Sequence, residues 1–259
     1  SFTCNGAQMG SRLRATPPRE IEIHVRGADA IDRIELLRNG QVIATHCHQG
    51  TWRPPRPGKR TRFKLRIEAG WGPRPGEIPL PETHWQGTLY IDGGRFVGWE
   101  PCWIARGQGV PDLDGDSARF AMLCRQENVN QPCQGATLLE FEADSNAEFV
   151  LHLNGLEVRD RVHTLAEQSR LLWYRDDCIE RIRETTGVEP KNARRGDAYY
   201  QMANKAKLHR AMPEAAYTAT LKWIDDQPLQ AESHYRVRIE QRNGQRAWSS
   251  PIWVRAPQD

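Results

Sequence analysis

The sequence has no apolar run long enough to cross a lipid bilayer, since a spanning helix needs about 20 consecutive apolar residues. Its first residues, Ser-Phe-Thr-Cys-Asn-Gly, lack both the basic and the apolar region of a secretory signal peptide. The first residue is not methionine, and we interpret this start as a cut or processed end. We expect no membrane association, and the compartment stays open.

The sequence also has little net charge. Its 36 basic and 33 acidic residues leave a formal charge of +3 at pH 7. Because the two signs nearly cancel, no global electrostatic field is available to capture a polyanion. We therefore expect no nucleic acid partner.

No Cys-x-x-Cys pair is present, although the sequence contains six cysteines. A chain of 259 residues can bury a sizeable core and does not need disulfide bonds to fold. We expect reduced, structural thiols, and the sequence alone leaves the disulfide state open.

No Gly-x-Ser-x-Gly motif marks a serine nucleophile. A triad could be assembled only from scattered residues, namely Ser249 or Ser250 with His234 and Asp225. His234 falls on the charged side of its alternating segment, which does not favour this arrangement. We predict a strand entry at Ser249-Ser250-Pro251 instead.

Period-two alternation of apolar and charged residues is the main positive signal. Each alternating segment predicts a half-buried antiparallel strand. The apolar positions of the four clearest segments are Ile21, Ile23 and Val25; Phe63, Leu65 and Ile67; Tyr217, Ala219, Leu221 and Trp223; and Tyr235, Val237 and Ile239. Asn-Gly pairs at Asn39-Gly40, Asn154-Gly155 and Asn243-Gly244 predict hairpin turns.

Helical signals appear in the third quarter of the sequence and shortly after it. Thr164-Leu165-Ala166-Glu167 fits a capping box, and apolar residues beyond it can form a stripe towards Gly187. We predict helices near 164–184 and 197–210, and the rest of the sequence predicts a mainly β fold.

Several phrases near the two ends of the sequence carry a family resemblance. They are Met9-Gly10-Ser11, Ile31-Asp32-Arg33-Ile34-Glu35-Leu36-Leu37-Arg38-Asn39-Gly40, Tyr235-Arg236-Val237-Arg238 and Ala247-Trp248-Ser249-Ser250-Pro251-Ile252-Trp253-Val254. Together they resemble the C-terminal region of a bacterial family of unknown function related to the polymerase-and-histidinol-phosphatase (PHP) metallohydrolases. We refer to these four phrases as the end motifs.

The resemblance implies a fold and a partner. The partner is an N-terminal metal-barrel domain of the same protein, which would bind the divalent metal, so we expect no cofactor in this chain. Shorter members of the family imply that the middle of this sequence is an insertion. We therefore predict an immunoglobulin-like antiparallel β-sandwich from residues 1–60 plus 215–259, interrupted by a second β domain at 61–214 with one or two helices.

His46-Cys47-His48 follows a strand-like segment and is the first candidate for chemistry. Alternate residues of an extended segment share a face, so the imidazoles of His46 and His48 could reach one metal ion. No matching cluster of further ligands is visible, and histidines in such loops commonly bind no metal. Asp112-Leu113-Asp114-Gly115-Asp116 resembles a calcium loop, but its glycine and its twelfth position do not fit, so we predict a tight acidic turn.

Nine tryptophans allow a carbohydrate-binding interpretation, with exposed indoles at Trp52, Trp71 and Trp85. Tryptophans in alternating strands more commonly belong to a core. The basic, proline-rich run Arg53–Arg62 favours a solvated linker over a phosphate site.

Three functional hypotheses follow. The first is a non-catalytic accessory β region of a PHP-like metal-dependent hydrolase whose substrate is unknown. The second is a glycan- or polymer-binding β-sandwich module. The third is a free-standing metal-dependent hydrolase with a site at His46, His48 and an acidic loop.

Overall fold

The computed structural model describes residues 1–71, 82–102, 109–124, 134–187, 189, 203–229 and 232–256, without the side chains at 71, 181, 185 and 186. The chain divides into two compact units. We call Ser1–Arg53 with Met212–Asp259 the terminal unit, and Pro54–Ala211 the central unit. Both are built mainly from antiparallel strands, which confirms the predicted mainly β fold.

The terminal unit takes its strands from both ends of the chain. They are β1 Phe2–Cys4, β2 Ala7–Gln8, β3 Arg12–Arg14, β4 Arg19–Arg26, β5 Ile31–Arg38, β6 Gln41–Cys47, β17 Met212–Pro213, β18 Thr218–Asp225, β19 Glu232–Gln241, β20 Arg246–Trp248 and β21 Ile252–Arg255, with helix α3 at Glu214–Tyr217.

Two sheets of the terminal unit enclose one core. The first has the strand order β18-β4-β1-β2, and the second has the order β3-β21-β19-β5-β6 with β20 beside β19. Apolar residues of both sheets share one buried cluster, which includes Ile21, Ile23, Ile34, Val237 and Ile252. This arrangement is a β-sandwich. The β3–β21 pair is parallel, whereas β19 pairs antiparallel with both β21 and β5.

The central unit is also mainly β. Its elements are β7 Arg60–Trp71, β8 Thr83–Ile91, β9 Arg95–Pro101, β10 Asp112–Asp114, β11 Ser117–Cys124, β12 Gly135–Asp144, β13 Glu148–Leu153, β14 Leu156–Arg161, α1 Val162–Glu167, β15 Arg170–Trp173, α2 Arg175–Thr186 and β16 Lys205–Leu208.

Two sheets meet in the core of the central unit as well. A five-stranded sheet has the order β10-β11-β8-β13-β14, and a second sheet, which we call the β7 sheet, has the order β15-β16-β7-β12-β9. Their facing sides form one cluster that includes Phe63, Leu89, Phe120, Phe141 and Leu151. The alternation at Phe63, Leu65 and Ile67 therefore predicted the core side of β7 correctly.

The helix predictions need correction. The predicted helix near 164–184 is two helices, α1 and α2, separated by strand β15, because Arg170–Trp173 pairs with Lys205–Leu208. Thr164 lies inside α1, whose N-cap is Arg161 with no side-chain cap. The predicted helix at 197–210 is wrong at Lys205–Leu208, which is strand β16 between β15 and β7, and residues 197–202 lie outside the described residues.

The hairpin predictions are confirmed in full at two of the three Asn-Gly pairs, whereas Asn243-Gly244 lies between the paired strands β19 and β20 with a positive φ at Gly244 alone. Asn39-Gly40 connects β5 to β6, and Asn154-Gly155 connects β13 to β14. Both residues of each pair have positive φ, which is the conformation that selects Asn-Gly in two-residue hairpins. None of the helices in the described ranges is long and apolar enough to cross a membrane.

Candidate functional site

His46 and His48 lie at the end of β6 and contact each other. Nε2 of His46 is 3.1 Å from Nδ1 of His48, and Nε2 of His48 is 2.7 Å from the carbonyl oxygen of Ala215. A carbonyl only accepts hydrogen bonds, so Nε2 of His48 carries a proton, and its Nδ1 in the neutral ring accepts the proton of His46 Nε2. Three of the four ring nitrogens are thus engaged within the protein.

This geometry constrains the predicted metal site. Two histidines that share an ion each need a free nitrogen lone pair, and here only Nδ1 of His46 has no such contact described. Binding one ion through both rings would require breaking the contact between His46 and His48 or the bond to Ala215. In the part of the chain that the structure describes, no three His, Cys, Asp or Glu side chains are grouped to hold a metal.

Burial of His46 and the neighbouring His48 both lower the pKa of the His46 imidazole. His48 is itself buried. The pair of histidines therefore connects the end of β6 to α3 through the hydrogen bond from His48 to Ala215.

Trp52 is half-buried against the small apolar cluster of Ala30, Met212, Ala216 and Tyr217. The guanidinium carbon of Arg242 lies 4.1 Å from the centre of its ring. This cation–π contact covers one face of the indole, which reduces the surface that Trp52 could offer to a sugar.

Trp85 is buried, so its predicted exposure is wrong. Only 1% of Trp85 is accessible, and its ring makes an edge-on contact with Tyr174 at 5.1 Å between centroids. It alternates with His84 and Gln86 on β8 and therefore faces the core with Leu89. The side chain of Trp71 lies outside the described residues.

The six cysteines divide by position. Cys4, Cys47, Cys102, Cys124 and Cys178 are free thiols, as expected, and Cys133 lies outside the described residues. Burial raises the pKa of Cys4 to about 11. A thiol with a raised pKa is a poor nucleophile, so Cys4 serves the core.

Asp225, Ser249 and His234 do not form a triad. Asp225 joins a buried network with Arg19, Tyr235 and Arg38. The hydroxyl of Ser249 accepts a hydrogen bond from the backbone of Val237. The described contacts thus assign Asp225 and Ser249 to separate structural roles.

The network around Arg19 was not visible in the sequence as a cluster. Arg19 is fully buried and connects β4 to Tyr235 on β19, in the opposite sheet. Burial would raise the pKa of Asp225, but hydrogen bonds from Tyr235, the backbone of Gln227 and Arg19 outweigh it and hold the pKa below its usual value. Burial, followed by the bond to Asp225, raises the pKa of Tyr235 to about 12.

Lys64 and Glu68 on the charged side of β7 are also buried, which the alternation did not predict. Lys64 is 2% exposed, and Glu68 and Glu140 are nearly as buried. Lys64 is paired with Glu100, Glu68 is paired with Arg66, and Nε2 of His209 lies 2.8 Å from the carboxylate of Glu68. Ion pairing is what allows charged groups to be buried, so this side of the β7 sheet is a network of compensated charges.

An open groove lies on the outer side of the five-stranded sheet. Its volume is about 840 Å³. The side chains that line it include His84, Gln86, Thr88, Asp112, Arg119 and His152. We call this depression the groove. Asp112 of the predicted acidic turn lines it, whereas His46, His48, Trp52 and Trp85 do not.

The groove follows from the pairing of the strands. Arg119 on β11 is directly opposite Thr88 on β8, which is opposite His152 on β13. Thr88 is shorter than both neighbours, so the row is low at its centre and high at its sides. Asn154 holds one end of the groove in place. Its side chain accepts a hydrogen bond from the backbone of Gln86 and donates one to the carbonyl of His84.

Comparisons with known proteins give no family assignment. No family model matches the chain, and no curated protein matches it. Among solved structures, the chain aligns with the tripod (BppUct-A-L) from the baseplate of bacteriophage Tuc2009, with 10% identity over 92% of this chain and 82% of that chain and a TM-score of 0.11. Such a low TM-score carries no argument about fold or function.

Proposed function

We propose that this chain is a non-catalytic accessory β region of a PHP-like metal-dependent hydrolase of unknown substrate. In this proposal the chemistry belongs to an N-terminal metal-barrel domain of the same protein. The β region packs against that domain. The proposal begins from the sequence resemblance, and one structural observation carries it.

That observation is the position of the end motifs, which are far apart in sequence and adjacent in the terminal unit. Tyr235 pairs with Arg38, and Ile239 pairs with Ile34, so the first hairpin and strand β19 are neighbours. The backbone N–H of Gly10 donates to the carbonyl of Pro251 at 2.9 Å. The end motifs together build one sheet. A folding unit that characterises a family would retain such motifs even when a further domain is inserted between them.

The division of the chain supports the same proposal. The central unit, Pro54–Ala211, interrupts the terminal unit in sequence, as an insertion between two motif-bearing segments would. A domain that is inserted into a loop leaves the host sheet paired. We propose that the central unit is such an insertion.

The immunoglobulin-like character of the terminal unit is part of the proposal. The two sheets share one core, which supports an immunoglobulin-like fold. The short first segment of the chain contributes strands to both sheets, which supports it as well. The strands β1 and β2 join one sheet, and β3 joins the other, beside the last strand β21.

A metal and activity assay tests the proposed function. The purified chain is loaded with Mn²⁺, Fe²⁺ or Zn²⁺, desalted, analysed for bound metal, and assayed with phosphomonoester, phosphodiester and carboxylic ester substrates. We expect less than stoichiometric metal and no turnover above the blank. Stoichiometric metal with turnover that His48→Ala abolishes would overturn the proposal in favour of a free-standing hydrolase.

A further inference from the structure

The groove has the shape of a binding surface because its floor is lower than its sides. Thr88 and Ala121 are small residues on the floor of the groove. Arg119 on β11 and His152 on β13 stand on the two strands that flank β8. Neighbouring strands are about 4.8 Å apart, so Arg119 and His152 stand roughly 10 Å from each other across β8. A chain-like ligand one residue wide fits between them.

The formal charge of the groove is balanced. Arg119 forms an ion pair with Asp112, and both side chains remain more than half exposed. The imidazoles of His84 and His152 each lie beside a glutamate, Glu82 and Glu157. A polyanion would require a clear excess of positive charge, which this surface does not have.

The lining combines hydrogen-bond donors with acceptors. Arg119 offers N–H donors, Asp112 offers carboxylate acceptors, and Gln86 offers both. An apolar ligand would desolvate these groups without replacing their hydrogen bonds, which is costly. Hydroxyl groups both donate and accept, so a ligand with many hydroxyl groups can satisfy the whole lining.

Tyr90 extends this surface along β8. It is two residues beyond Thr88 and therefore on the same side of the sheet, roughly 7 Å further along the strand. Its side chain is exposed, with 39% of the residue accessible, and the nearby negative charge of Asp116 raises the pKa of its hydroxyl. An aromatic ring held on a polar surface can contact the C–H side of a sugar ring.

We infer that the groove binds a neutral glycan chain, with Arg119, Asp112 and Gln86 forming hydrogen bonds to its hydroxyl groups and Tyr90 contacting a sugar ring. The inference does not depend on the accessory-region proposal, since a hydrolase and a binding module can each carry such a surface. It moves carbohydrate binding from the tryptophans to the outer side of the five-stranded sheet.

The test uses the whole chain, a glycan array that contains neutral and acidic glycans, and calorimetry with the best neutral hit. The variants are Arg119→Ala, Gln86→Ala and Tyr90→Ala. The matched control is Arg159→Ala, because Arg159 lies on the same sheet in an exposed ion pair with Glu148 and is as accessible as Arg119. Thermal unfolding of each variant reports whether it is folded.

We expect neutral glycans to be retained, a loss of at least tenfold in affinity for Arg119→Ala, and an unchanged affinity for Arg159→Ala. The midpoint of thermal unfolding should be similar for both arginine variants. Retention of acidic glycans alone, an equal loss in the Arg159→Ala control, or no retention of any neutral glycan would overturn the inference.

Discussion

The Nε atom of Arg19 donates a 2.7 Å hydrogen bond to the hydroxyl oxygen of Tyr235. Arg19 belongs to the sheet of β4, Tyr235 belongs to the sheet of β19, and both side chains are fully buried. The hydroxyl in turn donates to Asp225, which also accepts a bond from Arg38. One phenolic oxygen therefore connects the two sheets of the terminal unit.

Replacing Tyr235 by phenylalanine should destabilise the terminal unit. The substitution keeps the ring but leaves the buried Nε of Arg19 without its hydrogen-bond partner and removes one of the hydrogen bonds to Asp225, at a cost of about 1–3 kcal/mol. Equilibrium denaturation with guanidinium chloride measures this cost. Tyr90→Phe is the control, since Tyr90 is exposed, and an equally large loss in that variant would contradict the role of the buried bridge.

Acidification should weaken the terminal unit through Asp225. The pKa of Asp225 is lowered in the folded protein. In the unfolded chain Asp225 takes up a proton at about pH 4, whereas in the folded protein it is still ionised at that pH. The stability that Asp225 contributes is present above that pH and is lost as the pH falls through the folded-state pKa.

The variant Asp225→Asn should be less stable than the natural sequence at pH 7 and should lose less stability between pH 5 and pH 2. Denaturation curves at each pH measure this difference. Asp226→Asn is a neighbouring control, and a parallel acid dependence in the natural sequence and Asp225→Asn would contradict the assignment.

A second pH dependence should come from His46. Burial and His48 lower its pKa, so the folded protein favours the neutral ring. The unfolded chain becomes protonated near pH 6.5, and the contribution of His46 to stability is therefore lost as the pH falls through its folded-state pKa. His46→Gln should reduce the loss of stability between pH 7 and pH 5.

His84→Gln serves as the control for that measurement, because the side chain of His84 is largely exposed. The stability of the His84→Gln variant should depend on pH in the same way as the stability of the natural sequence. A His46→Gln curve that keeps the full pH dependence would show that His46 does not account for it.

Replacing Trp85 by alanine should destabilise the central unit by about 3–5 kcal/mol, which is the usual cost of removing a large buried aromatic side chain. The same change at Trp248, which is 60% exposed, should have little effect. Chemical denaturation of the two variants compares them. Equal stability of both variants would contradict the buried position of Trp85.

Local sequence signals predicted the strands and their turns well. Ile21, Ile23 and Val25 alternate on β4 as expected, because one side of that strand faces the core and the other faces solvent. The turns at Asn39-Gly40 and Asn154-Gly155 were equally accessible to prediction, since their positive φ angles restrict the residues that fit.

The errors arose where tertiary pairing overrides local preference. Residues Lys205–Leu208 form a strand because β15 and β7 lie on either side of them, and nothing within the segment encodes those neighbours. Lys64 looked like a surface residue, yet it is buried beside Glu100, which is 36 residues away in sequence. Burial of a paired charge cannot be read from alternation alone.

The groove could be predicted only in part. The turns at Asp114-Gly115 and Asn154-Gly155 were recognisable in sequence, and both lie next to it. The strand order β10-β11-β8-β13-β14 that places Arg119, Thr88 and His152 in one row is not the order of the sequence. Binding surfaces that draw on several non-consecutive strands require the sheet topology to be known.

The parallel pairing of β3 with β21 also determines how the terminal unit responds to mechanical force. Arg12 is opposite Trp253 and Arg14 is opposite Arg255. Tension that pulls Arg12 towards the N-terminal side and Arg255 towards the C-terminal side therefore acts along the two strands in opposite directions. Such tension shears the interstrand hydrogen bonds together and cannot open them one after another. A tether attached through these two strands would therefore resist extension until the pair ruptures as a whole.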